Sequence, residues 1–391
     1  MNRCRQHAIA ATMGAMAAGL AGAGALAGGY DTGERDWDFL FQEQPVAAEA
    51  EIRYVNPQRR ITGITGVFGP SADTDEAAAF SIPRYGMAVR VGDHLRCLAS
   101  YREPWGGHAD YGTTWTYAAS AVEQHFSSSD HGLTCALSAP LDAGRLSLVA
   151  GYSHQEIRYE LVQFFGPAGF ANTDVSDSSH GWRAGVAYEI PEYALRMSLI
   201  YNSQVDYDMT GVVTNPLGYS GPVFGEIAMP QSAELRFQSG VAPGWLAFGS
   251  AKWTDWSVAR NMPLCPVGLP VCTQAFAASA LTLLWQDTWT LTAGAAHQFS
   301  EAFAMAANLT WDQGASAGFT SQTDTWIAGL TAVLRPSANA ELKLGGAVGL
   351  MTGGTLSTAI LADGSPNPVG YTASFGDDWL YSLSAGLILR F

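Results

Sequence analysis

The sequence predicts an all-β protein, a 14-stranded antiparallel transmembrane β-barrel with a short N-terminal plug (hatch). Three observations carry that prediction. The last stretch, Gly376 to Phe391, alternates apolar and polar residues to its final position, and a period of two belongs to a strand. Comparable stretches recur along the chain, separated by alternately long and short connections. The chain also opens on an export signal and is rich in Gly and aromatic residues but poor in charge.

In the closing strand Trp379, Tyr381, Leu383, Ala385, Leu387, Leu389 and Phe391 share one face. Leu380, Ser382, Ser384, Gly386, Ile388 and Arg390 share the other. In water such an edge would invite aggregation. In lipid it is stable once it pairs with a first strand and closes a barrel. Its end, Ser384-x-Gly386-x-x-Leu389-x-Phe391, resembles the C-terminal signal read by the outer-membrane barrel assembly machinery.

At the other end Arg3 and Arg5 precede an Ala/Gly/Met run closing in Ala25-Leu26-Ala27. These are the charged, apolar and small-residue parts of a secretory signal peptide, residues 1–27. No other segment is apolar enough for a spanning helix, but transmembrane strands give a far weaker hydropathy signal. Cleavage would remove two Arg and no acid, taking the net charge from −15 to −17. Only Lys252 and Lys343 supply lysine, so the basic footprint of a nucleic-acid binder is missing.

Residues 28–46 do not alternate; the cluster Trp37-Asp38-Phe39-Leu40-Phe41 reads as a short plug that packs. The barrel proper is expected over 47–391. Its strands are predicted at 47–61, 84–91, 95–103, 120–139, 146–164, 181–190 and 194–210, then 230–241, 245–258, 288–299, 303–313, 325–334, 340–350 and 378–391. Short turns such as Gly92-Asp93, Pro191-Glu192 and Pro243-Gly244 carry turn chemistry and would face the periplasm. The longer connections 66–81, 166–180, 215–229 and 352–375 would be extracellular.

By strand parity Arg90, Arg96, Arg183, Glu189, Arg196, Glu234, Arg236, Lys343 and Arg390 point into the lumen. Pairing among themselves is expected, because an unpaired buried charge is expensive. Cys265 and Cys272 bracket the turn-rich Pro-Val-Gly-Leu-Pro-Val, and an oxidising compartment favours a disulfide there. Cys97 and Cys135 fall on apolar faces of successive strands; as neighbours they could be bonded or free.

The chain resembles the FadL family of outer-membrane transporters for long-chain fatty acids and other hydrophobic compounds. The likeness rests on Met229 to Phe237, on Trp245-Leu246-Ala247-Phe248-Gly249, on Trp253-Thr254-Asp255-Trp256-Ser257, and on the closing strand from Asp377. The resemblance implies a bore blocked by an N-terminal hatch and a third strand kinked inward. It also implies that ligand is captured outside, passes to a site near the hatch, and leaves sideways into the outer leaflet. The matching kink is Pro104-Trp105-Gly106-Gly107, where Pro cannot donate to a ladder and paired glycines leave backbone uncovered. The family's Asn-Pro-Ala hatch motif is absent; Asn56-Pro57 is followed by Gln58 in the first strand. Carried over, the ligand site would hold Gly28, Gly29 and Tyr30, with Phe39 and Phe41 from the same segment. His154 and Arg158 on the fifth strand would meet a ligand headgroup.

Two rival functions remain in view at this stage. A porin would need no Phe or Trp in its bore and would conduct ions steadily. An outer-membrane hydrolase could draw on Ser127-Ser128-Ser129-Asp130-His131, but strand neighbours alternate sides, so these groups cannot converge. His108 and Asp110 share a face beside the kink. No His/Cys spacing suggests a metal, and no cofactor is implied. The expected partners are a hydrophobic small molecule, outer-membrane lipids and the barrel assembly machinery, with the protein a monomer.

Overall fold

The computed structural model describes residues 29–33 and 37–391. Residues 1–27, expected as a signal peptide, and Gly28 lie outside the described residues. The wall strands, numbered in chain order, are β1 (Val46–Pro57), β2 (Phe80–Val91), β3 (Leu95–Arg102, then Gly107–Asp110), β4 (Glu123–Leu141) and β5 (Gly144–Phe164). They continue with β6 (Phe170–Ile190), β7 (Leu195–Asn202, then Val205–Thr214), β8 (Gly221–Met229, then Ser232–Ala242), β9 (Trp245–Thr254) and β10 (Thr288–Ser300). The last are β11 (Phe303–Asp312), β12 (Thr325–Ser337), β13 (Ala340–Met351) and β14 (Asp378–Arg390). Each pairs antiparallel with the next, and β14 returns to β1 from Ala47↔Arg390 to Pro57↔Leu380. The sheet is therefore a closed 14-strand barrel.

The two faces of the closing strand behave as its parity requires. Trp379, Tyr381, Leu383, Leu387, Leu389 and Phe391 are exposed on the outer wall, while Leu380, Ile388 and Arg390 are buried. An apolar outer face is stable only against hydrocarbon.

Some strand limits differ from the sequence expectation. β6 starts at Phe170 and β8 at Gly221, inside stretches expected as loops. There the outward residues Asn172, Asp174, Ser176 and Ser178 are polar and exposed, while Ala171, Thr173 and Val175 are buried. These strands run past the hydrocarbon, so the apolar half of the alternation is gone although the pleat persists. Conversely β9 stops at Thr254, and Trp256–Val258 forms a 3-10 turn that carries Trp256 to full burial.

The inward charges pair as expected. Arg102 and Arg183 share Asp130 at 3.1 and 3.4 Å, and Arg96 and Arg145 share Glu189 at 3.4 and 2.8 Å. Arg335 and Arg390 share Glu341 at 3.0 and 2.9 Å. Arg90 departs from the rule and is exposed, because it lies at the strand end, one rung before the last pair ahead of the Gly92-Asp93 turn. The N-terminal turn Asp38–Phe41 is fastened to this layer: Asp38 accepts from Arg196 at 2.7 Å and Arg236 at 3.2 Å. Arg102 and Arg183 lie over the Trp37 ring, 4.2 and 4.3 Å from its centroid, the attraction of a cation for a π face.

Toward the long-loop end, Arg60–Gly66, Gly69–Pro70, Thr74–Asp75, Gly354–Ser357 and Tyr371–Phe375 form a second small sheet. Its apolar side packs with Trp115, Tyr117 and Val122 and roofs the lumen. The four cysteines among the described residues are bonded in two pairs: Cys265–Cys272, as expected, and Cys97–Cys135, cross-strand partners on β3 and β4.

Candidate functional site

The third wall strand breaks at the expected place. Arg102 pairs with Asp130 and Gly107 with Phe126, so residues 103–106 of β3 bulge opposite 127–129 of β4. Pro104 has no N–H to offer. The Trp105 N–H donates to Ser128 Oγ at 2.9 Å, and that hydroxyl donates to the Trp105 carbonyl at 2.6 Å. On the other side the β2–β3 ladder ends at Tyr85↔Tyr101 and resumes only at the bridge Ala77↔Ala109. Between them Phe80–Arg84 of β2 pairs with β1 alone. This is a gap in the wall ladder.

The N-terminal segment lies against the inner side of that break. The Gly106 N–H donates to the Tyr30 carbonyl at 2.8 Å, and the Thr32 N–H to the Pro104 carbonyl at 3.1 Å. The Thr32 hydroxyl donates to the Glu103 carbonyl at 2.6 Å. Asp31 forms a buried ion pair with Lys252 of β9, spanning the lumen. Gly29 has φ +69°, and a Cβ there would stand 2.7 Å from Trp256 and 2.8 Å from Trp285. Both the backbone and the space demand glycine.

Tyr30 is the centre of an aromatic box. Its ring stacks on Phe126 at 4.5 Å and meets Trp285 edge-on at 4.8 Å. Trp256 stands edge-on to Trp285 at 4.9 Å and to Trp105 at 5.3 Å. Burial, and then the charge of Glu76, push the Tyr30 phenol well above its ordinary range, so it is a neutral donor at any physiological pH.

Between this box and the roof lies a cavity of about 400 Å³. Gly29, Tyr30, Gly106, Gly107, Tyr159 and Trp285 line its floor, and Phe80, Leu281, Leu283 and Leu356 add apolar wall. Its roof carries Arg59, Glu76, Tyr111 and Tyr371. The Glu76 carboxylate accepts from the Tyr111 hydroxyl at 2.8 Å and from the Ser321 hydroxyl. Arg59 is buried and donates to the carbonyls of Thr352 (3.3 Å), Gly376 (3.1 Å) and Ser321 (3.3 Å), to Asp378 (3.3 Å) and to Thr323 Oγ1 (3.1 Å). Burial lowers the pKa of Arg59 from its ordinary value against the pull of Glu76 and Asp378.

Of the residues singled out from sequence, Gly29, Tyr30, Gly106 and Gly107 come together at this cavity, and Trp105 is buried beneath it. Phe39 and Phe41 are buried in a different cluster, with Trp37 and Leu40, toward the short-turn end. His154 and Arg158 project outward and must be corrected. On β5 the inward residues are Ser153, Gln155, Ile157, Tyr159 and Leu161, so a period of two puts 154 and 158 on the other face. There Arg158 pairs with Asp174 at 2.6 Å, and His154 sits against His180. The same parity would have found Tyr159. Arg59, Glu76 and Trp285 come from loops, where no periodicity marks direction.

The hydrolase-type residues do not converge. Ser128 is bonded to Trp105, Asp130 to two arginines, and His131 packs on Tyr101 outside the wall. The sequence also spells G-x-S-x-G at Gly314-Ala315-Ser316-Ala317-Gly318. That stretch is a loop, and the Ser316 hydroxyl is held by its own neighbours, donating to the Thr320 carbonyl at 2.5 Å. Among the described residues no His/Cys/Asp/Glu cluster is arranged to hold a metal.

A closed lipid-facing barrel, with an N-terminal segment packed inside it and an interrupted wall ladder beside an aromatic cavity, is the architecture of an outer-membrane transport protein. Residues 38–324 match the family model described as outer membrane protein transport protein (OMPP1/FadL/TodX). The chain belongs to that family, which consists of outer-membrane channels for hydrophobic compounds rather than enzymes. The fold is shared with a Pseudomonas aeruginosa FadL homologue (TM-score 0.75, 16% identity, 96% of this chain and 98% of that one). It is shared too with the P. putida toluene transporter TodX (0.61, 12%, 90% and 92%) and the Ralstonia pickettii toluene transporter TbuX (0.59, 11%, 92% and 92%). No curated protein matches the sequence.

Proposed function

We propose that this protein takes up hydrophobic small molecules, in the range from long-chain fatty acids to monoaromatic hydrocarbons, and delivers them sideways into the outer leaflet. Cargo enters under the loop roof, settles against Tyr30, Gly29 and Trp285, and exits between β2 and β3 at Pro104–Gly107. Residues 28–46 act as the hatch, and the signal peptide 1–27 is removed before the barrel assembly machinery inserts a monomer. The interrupted β2–β3 ladder beside Tyr30 is the observation that supports this reading. Sideways exit spares an apolar cargo a passage through water, where each exposed methylene costs about 0.8 kcal/mol.

The test replaces Pro104, Gly106 and Gly107 together by residues that continue a regular strand. Uptake of radiolabelled toluene or oleate by whole cells should be lost, while heat-modifiable gel migration still reports a folded barrel. Wild-type uptake by that folded variant would refute the side exit.

A further inference from the structure

Among the described residues, three side chains lining the cavity can carry charge besides the tyrosines: Arg59, Glu76 and His108. Arg59 is committed, its guanidinium bonded to three backbone carbonyls, Asp378 and Thr323, and stacked 4.6 Å from the Phe375 ring centroid. Turning it toward a ligand would break contacts to two loops at once, the one before β12 and the one before β14. His108 Nε2 lies 2.9 Å from Glu123. That leaves Glu76, whose carboxylate is bonded by Tyr111 and Ser321. Its charge also adds to burial in pushing the phenols of Tyr30, Tyr111 and Tyr371 above their ordinary range. The polar end of the cavity thus sets the Glu76 carboxylate among neutral phenols, with the Arg59 guanidinium turned to its own partners.

We infer that the cavity takes uncharged cargo, and that Glu76 is the specificity residue that turns carboxylates away while accepting a hydroxyl. This rests on the uptake reading above and narrows it, removing ionised fatty acids from its range. A carboxylate brought beside Glu76 would be a second anion in a partly enclosed site, which disfavours the charged form of both. A hydroxyl has a proton to donate, and each carboxylate oxygen can accept a second bond beside the one it holds. The apolar wall of Phe80, Leu281, Leu283 and Trp285 suits the ring or chain that carries the hydroxyl.

Calorimetric titration of the refolded full barrel at pH 7.5 with toluene, 4-methylphenol and 4-methylbenzoate tests this, since the three share a ring. The phenol should bind at least about tenfold more tightly than the benzoate. Glu76→Gln, its refolding checked by heat-modifiable migration, should bring the two within about threefold by admitting the benzoate. For the wild type, lowering the pH to about 4, where carboxylic acids take up their proton, should tighten benzoate binding. That arm stands even if the variant does not fold. Equal wild-type affinities for phenol and benzoate, or an unchanged ratio in folded Glu76→Gln, would overturn the assignment and leave uptake intact. If none of the three binds, the uptake reading falls and this inference with it.

Discussion

The ring of Tyr30 packs directly on the backbone of Gly107: a Cβ built at Gly107 would stand 2.8 Å from both Cδ1 and Cε1 of the tyrosine. The glycine of the broken strand and the tyrosine of the N-terminal segment therefore fit as one contact.

Gly107→Val should push Tyr30 off Phe126 and disorganise the cavity floor. Overpacking of this kind costs about 1–3 kcal/mol, which a 14-strand barrel can absorb. The expected outcome is a folded protein, by heat-modifiable migration, whose toluene affinity in calorimetric titration falls by about tenfold or more.

The ion pair of Asp31 with Lys252 fastens the segment across the lumen. Lys252→Met removes the cation and the β9 anchor. The segment should loosen, and single-channel recordings in planar bilayers should show ion conductance well above that of the wild type. Equal conductance would mean that the Trp37–Phe41 turn blocks the bore unaided.

Asp130 holds Arg102 and Arg183 together inside the wall, with its side chain almost wholly buried. Asp130→Asn keeps the shape and removes the charge between two buried cations. Breaking such a pair costs about 3–5 kcal/mol, so the midpoint of urea unfolding in lipid vesicles should fall clearly below the wild-type value.

The buried phenols of Tyr30, Tyr111 and Tyr371 have their pKa values raised by burial first and by Glu76 second. In the unfolded chain a phenol ionises near pH ~10. Above that pH the folded protein holds protons that the unfolded chain has lost, so stability falls as pH rises. Alkaline titration followed at the phenolate absorbance should show these tyrosines ionising only with unfolding. Substituting Tyr111 by Phe should remove part of that pH dependence.

Much of the wall was legible because each strand carries its own evidence. In β14 neighbouring residues alone reveal which side faces lipid, and the inward charges Arg183, Glu189 and Arg390 followed from the same parity. The rule failed where its physical basis lapses. Beyond the hydrocarbon both faces of β6 are solvent-compatible, so the start at Phe170 was invisible. It also contradicted the headgroup roles given to His154 and Arg158, which came from resemblance and not from the parity of β5.

The sequence by itself determined the barrel, its two faces and the Cys265–Cys272 bond, because each is written in residues close together along the chain, whereas the break at Pro104–Gly107 was placed by resemblance to the family. Only the tertiary structure decided what meets at the break and above it. Arg59 bonds the carbonyls of Thr352 and Gly376 across separations of 293 and 317 residues, and Tyr30 meets Phe126 and Trp285 from separate strands and loops. Such contacts depend on barrel closure and loop path, and those are properties of the whole sheet that no local pattern encodes.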